Sequence, residues 1–190
     1  MKLIIASNNA HKLEEIRAIL GDSFDEILSL REEGIEHETI EDGETFAANA
    51  EKKAREIMLL SGCCALADDS GLCVDALGGA PGIYSARYAG EHGNDAANRQ
   101  KLLRELKGEE NRAAHFTCAM ALVRPDGSEV TAEGYVHGQI AFEEAGQFGF
   151  GYDSLFYLPE YSLTMAQLPP EVKNEISHRH NALQALLEKI

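Results

Sequence analysis

The chain has 190 residues, 44% hydrophobic and 26% charged, which fits one folded domain, residues 1–190, with a sizeable core. Its 32 acidic against 17 basic residues leave a net charge of -15, which opposes an extended nucleic-acid surface, because that affinity is built from Lys and Arg. No apolar run approaches the roughly 18 residues of a membrane span, and the aliphatic stretch after Lys2 ends at Ala6, too short for a signal sequence. The expected location is therefore the cytoplasm, with no membrane and no nucleic-acid partner. A small anionic ligand is still allowed, given a local basic cluster, a metal ion or both.

Lys2 to Ala6 reads as a short buried strand, and after the polar Ser7-Asn8-Asn9 the residues Leu13, Ile16, Ile19 and Leu20 recur at helical spacing. A second strand is expected near Phe24 to Leu30, leading into an acidic segment. Thr45 then opens a helix, TFAANAEKKAREIMLL, which ends at Gly62 and puts Lys52 and Lys53 on neighbouring faces. Cys63 to Ala67 reads as a buried strand that stops at Asp68-Asp69, with Leu72 to Ala76 on the far side of the pair. The stretch GGAPGIYSARYAG must be loop, and Asn94 to Leu106 looks helical. Ala113 to Leu122 and Glu129 to Ile140 read as a hairpin around the turn signal Pro125-Asp126-Gly127. Phe148 to Tyr157 mixes Gly with aromatics, and an amphipathic helix closes the chain from about Ala182. Early alternation of strand and helix with a later hairpin implies an α/β architecture, a mixed sheet covered by helices. Cys63, Cys64, Cys73 and Cys118 have neither C-x-x-C spacing nor disulfide density, so they read as small apolar residues and imply no zinc site.

Four groups could carry chemistry. Ser7-Asn8-Asn9-Ala10-His11-Lys12 sits where a strand hands over to a helix, a place whose free N–H groups and dipole favour an anion, though an Asn cap beside a surface Lys fits too. Glu41 with Asp68-Asp69 offers three hard carboxylates of the kind Mg²⁺ prefers beside waters and substrate phosphates. Adjacent carboxylates on a strand point to different sides, so one can engage a cation or its waters while the other orients it or takes a proton; a solvated turn ending the strand is the alternative. Gly149-Phe150-Gly151-Tyr152-Asp153 pairs flexible backbone with aromatic faces and a carboxylate, which suits a stacked heterocycle or equally a tight turn with core aromatics. Lys173, Asn174, Ser177, His178 and Arg179 form a donor-rich group that could also be a solvated helix start.

Taken together, five stretches resemble one family over nearly the full chain, the inosine triphosphate pyrophosphatase-like enzymes, also called XTP/dITP diphosphatases. The stretches are ASNNAHK at 6–12, G-x-T-F-x-x-N-A-x-x-K-A from Gly43 to Ala54, ADDSGLCVDALGGAPGIYSARYAG at 67–90, GFGYD at 149–153 and KNEISHR at 173–179. The resemblance implies hydrolysis of non-standard purine nucleoside triphosphates (ITP, dITP, XTP) between the α and β phosphates, giving the monophosphate and pyrophosphate and cleansing the nucleotide pool. It implies an elongated mixed sheet flanked by helices, in two lobes around a central cleft, with Mg²⁺ as cofactor and a homodimer as the usual assembly. Carried over by motif, Asp69 takes the general-base position, and Glu41 and Asp69, with Asp68 beside them, sit at the metal. Ser7, Asn8, Asn9, Ala10, His11, Lys12, Lys53 and Ser70 fall on the phosphate side. Phe150, Gly151, Tyr152, Asp153, Lys173, His178 and Arg179 fall on the base side. Ala48 departs from the pattern, standing where many members carry Glu, which bears on the support around Asn49 and not on the lysines or the acidic pair.

The implied selectivity has a physical basis. Hypoxanthine and xanthine carry an acceptor oxygen at C6 where adenine carries an amino donor, so a pocket lined by Lys173, His178 and Arg179 would leave donors unpaired on adenine. Two other readings remain at this point: a pyrophosphatase of other modified nucleotides, like the similarly folded Maf-type proteins, and a nucleotide-binding sensor without turnover.

Overall fold

A computed structural model describes residues 1–21 and 23–190. Its sheet has seven strands in the order β2-β1-β3-β4-β5-β6-β7, formed by β1 (Lys2–Ile5), β2 (Glu26–Ser29), β3 (Cys64–Val74), β4 (Ala113–Val123), β5 (Glu129–Ile140), β6 (Phe156–Leu158) and β7 (Leu163–Thr164). Both β2 and β3 run parallel to β1, whereas β5, β6 and β7 pair antiparallel, so the sheet is mixed as expected. The helices are α1 (Ala10–Leu20), the single turn α2 (Leu30–Glu33), α3 (Phe46–Ser61), α4 (Asp95–Glu105), α5 (Pro170–Ile176) and α6 (His178–Leu187). Among the described residues no helix is long and apolar enough to cross a membrane. The four cysteines are free thiols, two buried and two half-buried.

The chain divides into two compact units, the first holding Met1–Asp69, Cys118–Gly134 and His178–Ile190, the second Ser70–Thr117 and Tyr135–Ser177. In the first unit, strand alternation sorts the core onto two faces. Leu3 and Ile5 of β1 with Cys64 and Leu66 of β3 pack on Ile16 and Leu20 of α1 and Leu183 and Leu186 of α6. Ile4 and Ala65, pointing the other way, pack on Ile57 of α3, and Ala67 packs on Ala50 and Ala54 of the same helix. Small alanines on α3 let that helix lie close to the strand. The second unit builds one core from Leu72, Val74, Leu102, Phe116, Ile140, Leu155 and Phe156 among others.

Three sequence expectations change. The strand expected to stop at the acidic pair instead runs through it to Val74, 11 residues in all, because each carboxylate finds partners on its own face. The stretch 78–90, expected as loop throughout, contains a 3₁₀ helix at Gly82–Arg87. The last helix begins at His178 rather than Ala182; ahead of it Pro170 starts a further short helix that carries Lys173, since Pro is well suited to a first helical turn.

Candidate active site

The first unit gathers charge around Asp68 and Asp69. Helix α1 starts where β1 ends; Asn9 caps it by accepting from the backbone N–H of Lys12 at 3.3 Å, and Ser7 Oγ accepts from the N–H of Asn9 at 3.1 Å. One turn of helix then sets Lys12 and Glu15 on the same side. Lys12 Nζ reaches Asp68 Oδ2 at 2.9 Å, while Arg179 Nη2 reaches the same oxygen at 3.2 Å. Arg179 also pairs with Glu15. All this is interior: Arg179 is 1% exposed and Asp68 3%. Burial works to raise the Asp68 pKa, but the charges of Lys12, Arg179 and Lys53 outweigh it and hold the carboxyl well below its ordinary range. Burial likewise opposes the Arg179 charge, and Asp68 and Glu15 reverse the effect and raise its pKa.

Asp69 faces the other side of β3 and meets α3. Asn49 Nδ2 donates to Asp69 Oδ2 at 2.9 Å, and Lys53 Nζ, one turn further along, pairs with Glu41 Oε1 at 2.6 Å. Glu41 lies in the segment 34–45, which has further ties to α3. They include Lys52 Nζ to Asp42 (2.7 Å), His37 to Glu56 (2.7 Å) and the Thr39 hydroxyl to Glu56 (2.6 Å). Burial pushes the Asp69 pKa above the ordinary carboxylate value; Lys53 and Asn49 pull it down, Glu41 pushes it up, and the net direction is up. Lys53 is itself raised: burial lowers it, and Asp68, Asp69 and Glu41 more than compensate. Two neighbouring aspartates are thus driven in opposite directions.

The residues suit a divalent cation only in part. Among the described residues no three His, Cys, Asp or Glu side chains come together as a metal cage. Asp68 is occupied by two cations, which fits it to hold lysine and arginine rather than a metal. Glu41 and Asp69, whose charges repel each other, remain a hard-oxygen pair, and one or two carboxylates beside substrate phosphates are what Mg²⁺ ordinarily takes.

The second unit carries a separate constellation. Asp153 Oδ2 accepts from the backbone N–H of Phe150 at 3.0 Å and from Lys173 Nζ at 2.8 Å, and that ammonium lies 4.9 Å from the centre of the Phe150 ring. Gly149 has φ 75°, and a Cβ there would lie 2.1 Å from Asp153 Oδ2, so glycine is required for the carboxylate to fold back over the turn. The backbone of Gly151 is held at both ends, its N–H by Asp95 at 2.9 Å and its carbonyl by Arg99 at 2.8 Å. Tyr152 is buried in the core, where its hydroxyl donates to the Ser85 carbonyl at 2.7 Å and burial raises its pKa, so of the two aromatics Phe150 is the half-exposed one.

Of the residues named from sequence, Ser7, Asn8, Asn9, Ala10, His11, Lys12, Glu41, Lys53, Asp68 and Asp69 fall in the first unit with His178 and Arg179, while Ser70, Phe150, Gly151, Tyr152, Asp153 and Lys173 fall in the second. Arg179, expected beside the base, sits between Asp68 and Glu15. Sequence reasoning gave no role to Glu15, Asp95 or Arg99, and named Asn49 only for a local support contact around it. Glu15 and Asn49 were findable, since each lies one helical turn from a lysine already singled out.

A mixed α/β fold whose first unit packs three cations and four carboxylates around one strand is suited to handling a polyanion such as a nucleotide. The Ham1 family model matches residues 3–189, and the chain belongs to that family. Relatives named dITP/XTP pyrophosphatase from Clostridium perfringens and Haemophilus influenzae are 51% and 49% identical, each over 100% of this chain and 97% and 98% of their own. The Ham1 protein of Staphylococcus aureus superposes with TM-score 0.89 at 42% identity, covering 100% of this chain and 99% of that one. That of Coxiella burnetii gives 0.91 at 38%, with 100% of both chains covered.

Proposed function

We propose that the protein hydrolyses dITP, ITP and XTP to the monophosphate and pyrophosphate. The observation that carries this is the division of labour across β3, where Asp68 is neutralised by Lys12 and Arg179 while its neighbour Asp69 is kept basic. A carboxylate with a raised pKa next to fixed lysines is what general-base hydrolysis of a polyanion needs.

In this reading Lys12 and Lys53 bind phosphate oxygens and hold the triphosphate in register. Asp69 takes a proton from the water that attacks the α-phosphorus, the bond from that phosphorus to the bridging oxygen breaks, and pyrophosphate leaves. General-base help contributes roughly 10²- to 10⁴-fold. Glu41 and Asp69 would hold Mg²⁺, which when bound supplies charge neutralisation for the phosphates.

The base falls to the second unit's constellation, with Phe150 as the stacking face and Lys173 as donor to the 6-oxo group. Adenine would set its amino donor against that ammonium, so ATP is the poor substrate. In the first unit, Arg179 serves as the anchor of Asp68. The homodimer and the cytoplasmic compartment belong to the same proposal. The test is pyrophosphate released from dITP, ITP, XTP, GTP and ATP with and without Mg²⁺. Fast, Mg²⁺-dependent release from the 6-oxo, non-standard purines with little from ATP is expected; equal rates on ITP and ATP, or release only from modified pyrimidines, overturn it.

A further inference from the structure

Resting on the reading of Asp69 as the base, we propose that Asn49, gripped by the backbone of Gly43, is the positioning residue that fixes the Asp69 carboxylate for proton abstraction. Asn49 is 1% exposed in the first turn of α3, and its carboxamide bridges two segments. Its Oδ1 accepts from the backbone N–H of Gly43 at 2.8 Å, and its Nδ2 donates to Asp69 Oδ2 at 2.9 Å. Only one orientation of the amide serves both contacts, because the flipped group would set NH₂ against N–H and carbonyl against carboxylate. The backbone N–H of Asn49 is tied to the Thr45 carbonyl at 3.2 Å, and Thr45 caps the helix, so the Asn Cα is fixed as well.

Gly43 is part of the device. A Cβ on Gly43 would lie 2.7 Å from Asn49 Oδ1, 3.1 Å from the Ala48 Cβ and 3.2 Å from the Asn49 nitrogen, and none of these is the far end of a long flexible chain. Only glycine lets the 34–45 segment come this near. Because that segment also carries Glu41, which Lys53 holds one turn further along α3, the helix sets two carboxylates through Asn49 and Lys53. This also accounts for Ala48: the support around Asn49 comes from Gly43 and Thr45, neither of which needs a glutamate at 48.

A merely structural buried Asn and a positioning one predict different kinetics. The experiment compares wild type, Asn49→Ala, the isosteric Asn49→Asp, Gly43→Ala and the Gly43→Ala/Asn49→Ala double variant. It measures circular-dichroism melting, steady-state pyrophosphate release from dITP with Mg²⁺, and binding of α,β-methylene-dITP. Asn49→Asp keeps the acceptor for Gly43 but turns an oxygen toward Asp69, so it remains decisive if the alanine variant fails to fold. A displaced carboxylate should lower kcat by about 10- to 100-fold in each single variant, a loss that small errors in the placement of reacting groups suffice to cause. KM should move less than kcat, and analogue affinity measured without Mg²⁺ should stay within about threefold of wild type, since Lys12 and Lys53 still hold the phosphates. The double variant should lie within about threefold of Asn49→Ala alone, because Gly43 acts through the atom already removed. Folded Asn49→Asp turning over like wild type, a rise in KM at unchanged kcat, or fully multiplicative penalties in the double variant each overturn the inference. A wild type that releases no pyrophosphate defeats the function reading instead, so the two failures are distinguishable.

Discussion

Asp68 and Asp69 are adjacent, buried and chemically identical, yet they point to opposite faces of one strand and meet opposite surroundings. On the α1 and α6 face Asp68 is clasped by Lys12 and Arg179 and pushed below the ordinary carboxylate range; on the α3 face Asp69 has Asn49 and nearby Lys53 and Glu41 and is pushed above it. The lesson is that a like-charge pair is tolerated when a strand separates it into two environments, one that stores a charge and one that keeps it reactive. The sharpest way to break this comparison is Asp69→Asn. Turnover of dITP should fall by at least about a hundredfold while the analogue still binds, because the base is lost and Lys12 and Lys53 still hold the phosphates. Near-normal turnover would remove Asp69 from the role of base.

The storing side predicts the next largest effect, and on stability rather than rate. Arg179→Met leaves Asp68 with one cation fewer and Glu15 without its guanidinium, both inside the protein. Breaking a buried pair by deleting one member costs about 3–5 kcal/mol, read as a shift of the urea midpoint at unchanged slope. The pH dependence carries opposite signs at the two residues. Asp68, depressed in the fold, contributes stability that is present above the ordinary carboxylate pKa and lost as pH falls through its own lower value. Asp69, raised in the fold, contributes stability that is present below the ordinary value and lost as pH rises through its own higher value. At neutral pH, therefore, Asp69→Asn should melt higher than wild type and Asp68→Asn lower, in thermal scans run between pH 4 and 8. The same sign for both would dissolve the contrast.

A smaller effect is expected in the second unit, where the Lys173 ammonium is shared by Asp153 and the Phe150 face. Lys173→Met keeps the stem and removes the donor, so the ratio of kcat/KM for ITP over ATP should drop by at least about tenfold, part of the large factor that unpaired polar groups impose. An unchanged ratio would move base selection away from Lys173.

Much of this was legible in the sequence and some was not, for physical reasons. The first strand, the first long helix and the hairpin around Asp126 announced themselves through periodicity and turn residues, since local patterns dictate them. The continuation of β3 through Asp68 and Asp69 was not legible. Two adjacent acids look like a strand end until one knows that Arg179, 111 residues away, neutralises one of them. The role of Arg179 was obscured in the same way, because its partners Asp68 and Glu15 come from two distant segments. Likewise a glycine at 43 looks like loop punctuation, and only the contact with Asn49 shows that it is a close approach.

Lys52 and Lys53 give the comparison its smallest and cleanest control. They are consecutive on α3, so a turn of about 100° separates them, and helical spacing alone does not rank them; the motif singles out Lys53. The structure gives the physical difference. Lys53 Nζ pairs with Glu41 in a setting where Asp68 and Asp69 both act on its charge, whereas Lys52 pairs with Asp42, whose side chain is 68% exposed. An exposed ion pair contributes little, and salt screens it further. Lys52→Met should therefore leave kcat and KM for dITP unchanged and shift the urea midpoint only slightly, and the shift should vanish in 1 M NaCl. A large kinetic effect at Lys52 would mean that the 34–45 segment, which Lys52 also holds through the Ile40 carbonyl at 2.8 Å, sets Glu41 more through its outer tether than through Lys53.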